Sequence, residues 1–448
     1  MPASNFDSLT TRISSINPVA VVGRVAGNSG PLIRISGISD ACRIGDRVRI
    51  RLKSGRLVVG EVLRLGDATV EVLPERGTLG LARGDEAILC PPPGFFPHES
   101  WVGRIVNADG QPLDNRPLQN GATPKPLVAS PVDPVGRRPL GARLETGFRL
   151  FNTMLPLAVG QRMGLFAGSG IGKSTLIGQF ARNVQTDVVV IALVGERGRE
   201  LRSFVDQALG PEGLKRAVVV VATSDRPALE KRRAAWAATA VAEYFRDLGR
   251  NVLLVVDSIT RFAEAHREIA LASGETASMR GFPPSVAQMI MSLCERAGPG
   301  TGASGNITAL FSVLVAGSDM EEPIADIVRG VLDGHVVLDR EIAERGRFPA
   351  VDVLRSVSRS LPDVANEREN ALIQEARQML GAYESSELMI KAGLYAKGAD
   401  ALTDRAVAVY PGLDRFFSEP EDSNASRSFQ ALAACLAEAT ETPDENPQ

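Results

Sequence analysis

Ala167-Gly168-Ser169-Gly170-Ile171-Gly172-Lys173-Ser174-Thr175 follows the apolar run Met163–Ala167 and opens a helical pattern from Leu176 to Val184. A buried strand, a glycine-rich turn and a helix start, in that order, make a phosphate-cradling P-loop. The glycines let backbone N–H groups turn inward on phosphate oxygens, and the helix N-terminus adds its partial positive charge. Lys173 brings a full charge to the β and γ phosphates, and the Ser174 hydroxyl can be a ligand for Mg²⁺. Gly168, Ser169, Gly170, Ile171, Gly172, Lys173, Ser174 and Thr175 are therefore the candidate nucleotide-binding residues. Ala167 stands where the usual pattern has its first glycine, and it closes the strand.

Two further strand ends belong with the loop. The run Val252–Val256 is followed by Asp257. A carboxylate at the end of such a strand, downstream of a P-loop, orients the Mg²⁺ shell. The plainer reading is a helix cap, and the P-loop upstream favours the metal. The run Val188–Val194 is followed by Gly195-Glu196-Arg197-Gly198-Arg199-Glu200. Ligand-contacting residues of an open parallel sheet gather at the carboxyl ends of its strands. Glu196 is thus placed either to polarise an attacking water or to pair within its own charged run; spacing leaves both open.

Outward from this core the chain divides. Residues 19–97 alternate short β-rich runs (Val21–Val25, Leu32–Ile35, Arg47–Leu52, Val58–Leu65, Thr69–Leu73) with glycine turns, the pattern of a small β-barrel or sandwich, and Pro91-Pro92-Pro93-Gly94 marks its exit. Residues 98–363 alternate helices with continuous apolar runs, including Ala217–Ala222 and Ile307–Val315, as in a parallel sheet covered on both faces. Residues 364–440 read as helical, with segments at Glu367–Leu380, Ser385–Ala392, Leu402–Val409 and Phe429–Ala439. The tail 441–448 is polar and expected to be disordered. At the other end, residues 1–18 put Phe6, Leu9, Ile13 and Ile16 on one helical face, either docked on the protein itself or serving as a partner-binding arm.

Composition narrows the class. The chain has 448 residues, 44% hydrophobic and 23% charged, as in a folded multidomain protein, and a net charge of −3 argues against a protein that coats duplex nucleic acid. Cys42, Cys90, Cys294 and Cys435 form no C-x-x-C pair, and with only His98, His266 and His335 no Cys/His metal site is readable. No signal peptide and no long apolar run is present, so a cytoplasmic location is expected.

Together, Ala167–Thr175, Gly195–Glu200 and Val252–Arg261 resemble the catalytic core of the rotary ATP synthase and ATPase family. Gly103–Gly110 resembles that family's entry to the nucleotide domain. Ser224-Asp225-Arg226-Pro227, Arg280–Val286, Glu322–Asp326 and Leu332–Leu338 are similar to its type III protein export branch, and the N-terminal and Ser224–Arg226 segments are closer to the flagellar side. The resemblance runs from about residue 20 to 415. It implies an α/β fold: a RecA-like P-loop nucleotide-binding domain, with the small N-terminal β-barrel and the C-terminal α-helical domain attached.

The resemblance further implies an active Mg-ATP hydrolase, because Glu196 matches the catalytic glutamate that non-catalytic ring subunits lack. Arg197 matches its neighbour near the γ-phosphate, and Arg261 a second phosphate-sensing arginine. Arg359, in Ser356-Val357-Ser358-Arg359, matches an arginine finger acting on the neighbouring subunit. Phe348, in Arg347-Phe348-Pro349-Ala350, matches an aromatic against the adenine, with Tyr395 as a candidate second wall. The bland alternative for the arginines is pairing with carboxylates, and for Phe348 plain core. The segment Arg280–Val286 either lines a central channel or only shapes a loop.

The implied partners are five further copies in a hexameric ring, regulatory and stalk subunits of an export apparatus, and export chaperones and substrates. Peripheral association with the inner-membrane export gate is implied as well, with no nucleic acid. A virulence-type secretion ATPase and a rotary synthase subunit are the alternatives. An RNA-translocating ring is a third class, disfavoured because Val19–Cys90 contains no Phe, Tyr or Trp.

Overall fold

The computed structural model describes residues 20–90, 94–315, 320–421 and 423–437. The expected arm at 1–18 and tail at 441–448 lie outside the described residues.

Strands β1 (Val22–Ser29), β2 (Leu32–Ser36), β3 (Arg47–Arg51), β4 (Leu57–Leu65), β5 (Thr69–Pro74) and β6 (Glu86–Cys90) close a barrel in the order β1-β2-β5-β4-β3-β6. Closure settles the barrel-or-sandwich choice, and it needs β6, which the sequence reading passed over. The strands alternate as half-buried strands must: on β3, Val48 and Ile50 point inward between Arg47, Arg49 and Arg51. The interior is filled by branched aliphatics such as Ile33, Ile35, Val62 and Val72.

The nucleotide-binding part is built on a sheet ordered β14-β13-β8-β12-β11-β9-β10-β7. Its members are β7 (Arg104–Asn107), β8 (Arg162–Ala167), β9 (Val188–Val194), β10 (Ala217–Ala222), β11 (Val252–Asp257), β12 (Ile307–Leu314), β13 (Gly334–Leu338) and β14 (Val351–Ser358). The pairs from β7 to β13 are parallel and only β14 runs antiparallel, against β13. Strand β9 shows why these runs are apolar throughout. Val189, Ile191 and Leu193 enter one core, and Val190, Ala192 and Val194 enter the other. Helix Lys173–Asn183 covers the first face through Leu176, Ile177 and Phe180; Ala228–Asp247 and Ile259–Ala272 cover the second.

Three long helices follow, Glu367–Lys391, Ala401–Ser418 and Ala425–Ala437. The first is continuous where the sequence reading had a break at 381–384. Asn366 and Glu369 form a capping box at its start, and Ile373, Ala376 and Met379 pack into the same core as the P-loop helix.

The barrel is fastened to the sheet by charge as well as by apolar contact. Arg233, on helix Ala228–Asp247, is 4% exposed and reaches Glu75 at 3.0 Å, Asp109 at 3.2 Å and Glu61 at 3.7 Å. Its neighbour Arg232 pairs with Glu61, and Arg47 of β3 pairs with Asp109. Beside them Leu63 and Leu73 of the barrel pack on Leu229 and Ile269. Removing one partner from such a buried set strands the others without compensation, at a cost of about 3 kcal/mol. Arg233→Met should therefore lower stability by about that much in denaturant unfolding; an unchanged midpoint would show that the apolar contact alone holds the barrel.

Candidate active site

Lys173 is the first residue of helix Lys173–Asn183, and Gly172 before it has φ 87°. That left-handed backbone favours glycine, and a Cβ there would stand 3.3 Å from the Phe348 ring. The loop's geometry and the aromatic's position are thus fixed together.

The Lys173 ammonium, itself buried, donates to Asp257 Oδ1 and lies 3.7 Å from Glu196 Oε1. Asp257 closes β11 and is 2% exposed. Glu196 follows β9 by two residues, so neighbouring parallel strands deliver both carboxylates to the P-loop edge of the sheet. The sequence reading left Glu196 divided between this crevice and its own charged run; it stands in the crevice beside Lys173 and also hydrogen-bonds to Glu200 of that run. Burial pushes its carboxyl up to about 7, the nearby Asp257 charge pushes the same way, and Lys173 opposes both.

A fourth group here was missed by sequence reasoning. Ser312, a polar residue inside the buried strand β12, donates its hydroxyl to Asp257. A serine toward the carboxyl end of a mostly apolar strand was the available signal. Arg340 also reaches the loop, donating to the Ser169 carbonyl at 3.3 Å.

For Mg²⁺ the donor chemistry fits. Ser174 is exposed beside the loop, and its hydroxyl bonds to no described residue; Asp257 supplies a carboxylate. Among the described residues no group of three or more His, Cys, Asp or Glu side chains is arranged for a metal ion. That suits Mg²⁺, which is usually held by one or two protein oxygens, substrate phosphates and water.

Next to the loop lies a cavity of about 400 Å³. Phe348, Pro349, Ala350 and Leu338 form one side; Ile171, Thr175 and Leu176 its floor; Phe148, Ser418 and Pro420 the facing wall. Phe348 is 52% exposed, an aromatic left open rather than buried in core. Tyr395 is a correction: it is absent from this lining, and its hydroxyl donates to Asp404 at the start of helix Ala401–Ser418. The facing wall comes instead from the end of that helix, where Pro420 bridges to Phe148.

The arginines are placed in two ways. Arg197 pairs with Glu200 at 3.5 Å and Arg261 with Glu264 at 2.8 Å. Both stand near the crevice mouth: a Cβ on Gly195 would come within 2.8 Å of the Arg261 side chain. Arg359 is elsewhere. Its N–H donates to the Asp333 carbonyl, and Asp333 N–H to Arg162, so it sits level with the start of β8. The P-loop begins past the other end of β8, roughly 17 Å away at about 3.3 Å per residue. Arg359 is exposed, lines an open hollow with Gly141, Arg143 and Asp363, and makes no side-chain pair with any described residue.

The comparisons agree with this architecture. The chain matches the ATP synthase alpha/beta family's nucleotide-binding domain over residues 147–358, that family's beta-barrel domain over 25–89, and the type III secretion EscN ATPase C-terminal domain over 365–434. It is 43% identical to a flagellum-specific ATP synthase of Caulobacter vibrioides, covering 94% of this chain and 96% of that one. It is 41% identical to a type 3 secretion system ATPase of Xanthomonas euvesicatoria, covering 89% and 90%. The assembled ATPase EscN of enteropathogenic E. coli superposes with a TM-score of 0.85 at 35% identity, over 93% of this chain and all of that one. A second structure shows EscN in complex with its central stalk EscO, with a TM-score of 0.84 at 36% identity over the same shares.

The raised Glu196 carboxyl has a consequence for the nucleotide-free chain. Folding favours its protonated form, so its contribution to stability is full below pH 4.5 and is lost as pH rises through about 7. Glu196→Gln should therefore stabilise the nucleotide-free protein at pH 8, on the order of 1 kcal/mol after solvent screening, and the gain should vanish at pH 4.5 and below. Thermal melting of both forms across that range checks it; a gain independent of pH would contradict the buried-carboxyl reading.

Proposed function

This chain belongs to the ATP synthase alpha/beta family, in its branch of flagellar and type III secretion ATPases, and from that premise we propose that it hydrolyses Mg-ATP to drive flagellar protein export. The observation that carries the reading is the meeting of Lys173, Glu196 and Asp257 beside a largely apolar cavity of about 400 Å³.

In this reading the base enters between Phe348 and the Phe148–Pro420 wall, offering its faces to apolar side chains. The β and γ phosphates lie along Gly168–Thr175, and Lys173 turns from Asp257 toward them. Ser174 and Asp257 would hold Mg²⁺, which when bound supplies positive charge to the phosphate oxygens. Glu196 accepts a hydrogen bond from the attacking water. The burial that raises its carboxyl makes it a stronger acceptor than an exposed glutamate. Water adds to the γ-phosphorus as the bond to ADP breaks, and the surplus proton leaves through the phosphate or Glu196. The protein contributes positioning and electrostatics rather than covalent chemistry.

The separation of Arg359 from its own P-loop supports a shared site. A guanidinium that cannot reach home but has no partner there is available to a neighbour, where it stabilises charge on the transferring phosphoryl group. That requires a closed ring of like subunits, which we take to be a hexamer. A stalk partner follows the EscN–EscO precedent, and chaperones, exported substrates and a place at the inner-membrane export gate follow from the proposed role. No helix of the described residues is long and apolar enough to cross a membrane. Arg197 and Arg261 are proposed to leave Glu200 and Glu264 for the γ-phosphate when nucleotide binds.

Lys173→Ala should abolish ATP hydrolysis by the purified chain, while Glu196→Gln should still bind nucleotide and lose turnover; equal loss of binding and turnover in the glutamine variant would make Glu196 structural. Arg359→Ala subunits mixed with Lys173→Ala subunits should regain activity, because some interfaces then combine an intact loop with an intact finger. An inactive mixture at every ratio would count against a shared site.

A further inference from the structure

Arg347 immediately precedes Phe348, and its side chain turns away from the base cavity into the seam between the sheet and the C-terminal helices. It is 9% exposed there, an unusual depth for a guanidinium. Its Nη2 donates to the Val351 carbonyl at 2.6 Å, its Nε lies 3.4 Å from Asp414, and its charge sits 5.6 Å from the centre of the Phe417 ring.

Those contacts reach both walls of the base cavity. On one side Arg347 braces the turn Phe348-Pro349-Ala350 by bonding across it to Val351. On the other, Asp414 and Phe417 belong to the last turn of helix Ala401–Ser418, and Ser418 and Pro420, just beyond, are the facing wall. One rigid planar group is therefore clamped between the segment carrying the stacking aromatic and the segment opposing it. Behind it a second cavity of about 250 Å³ is lined by Arg345, Tyr383 and Tyr410, with the two tyrosine rings stacked at 3.6 Å. The seam is thus not filled solid, and without Arg347 the helix end has room to shift relative to Phe348.

Resting on the nucleotide reading above, we infer that Arg347 is a positioning residue that sets the width of the base cavity by tying Phe348 to the C-terminal helix through Asp414 and Phe417. It touches neither substrate nor reacting atoms. Its effect falls on the part of binding that depends on the base and leaves the phosphate loop alone.

The test compares a ligand with a base to one without. Arg347→Met keeps the apolar stem over Phe417 and removes the charge; Asp414→Asn, at a position 41% exposed, removes the partner with little risk to folding. For both, KM for ATP and the dissociation constant for ADP should rise about tenfold while kcat changes by less than about twofold. Inhibition by Mg-tripolyphosphate, which has the phosphates and no base, should stay within about twofold of wild type, and Arg347→Lys should recover part of the ATP affinity. The inference is overturned if Asp414→Asn leaves KM and ADP affinity unchanged, or if both variants lose tripolyphosphate as severely as ATP. Should the wild-type chain fail to bind ADP at all, the nucleotide reading falls first, and the two failures are told apart.

Discussion

One buried ammonium shared by two carboxylates is the constraint around which the rest of the molecule is arranged. Lys173 is buried, donates to Asp257 and has Glu196 close by, so its polar end is not left without a partner. Each of the three residues ends or follows a different element, β8, β9 or β11, so the cluster exists only when those strands lie in register. The continuous apolar character of β9 and its neighbours is therefore a functional requirement as well as a packing one: helices on both faces keep water from the sheet and leave its carboxyl edge as the place where charge collects. A phosphate chain arriving there finds a cation already held and a carboxyl poised near neutrality.

Strand β14 extends that logic across the sheet. Its first residue follows the Phe348-Pro349-Ala350 turn at the base cavity, and its last precedes Arg359 at the opposite end. In the proposed ring, one strand, its pairing with β13 interrupted between Asp352 and Val357, leads from one subunit's base to the charge it lends its neighbour. Phe348 and Arg359 lie at the two ends of the same strand, and Arg347 fastens the first end to the C-terminal helices. The barrel, held by Arg232 and Arg233 through Glu61, Glu75 and Asp109, is similarly tied to a helix that packs on the central strands.

The sequence made the catalytic elements legible because glycine pattern, strand-end carboxylates and apolar runs are local signals. Asp257 and Lys173 meet as their positions in the chain imply. What was illegible depends on closure and on long-range packing. Strand β6 has only a brief apolar run between Glu86 and Cys90, but the barrel needs it to close. Strands β13 and β14 carry His335, Asp352 and Arg355 among their apolar residues, so they look less like buried strands, and β14 lies at the sheet edge. Helix Glu367–Lys391 runs through the expected break at 381–384, where Tyr383 stacks on Tyr410 of the next helix and Ser386 beyond it is buried. The second wall of the base cavity has no sequence signature. It arises because Glu421 N–H donates to Gly147 and Arg149 N–H to Glu419, folding the chain back on Phe148. Tyr395 offered a plausible aromatic but sits in a different loop.

The account's central claim, a triphosphate seated on Lys173 with its metal between Ser174 and Asp257, is tested most directly by calorimetric titration of a non-hydrolysable ATP analogue into the purified chain with Mg²⁺ present. Saturable binding approaching one nucleotide per chain, much weakened when the metal is chelated, is the expected result. An absence of saturable binding, or binding indifferent to the metal, would contradict it.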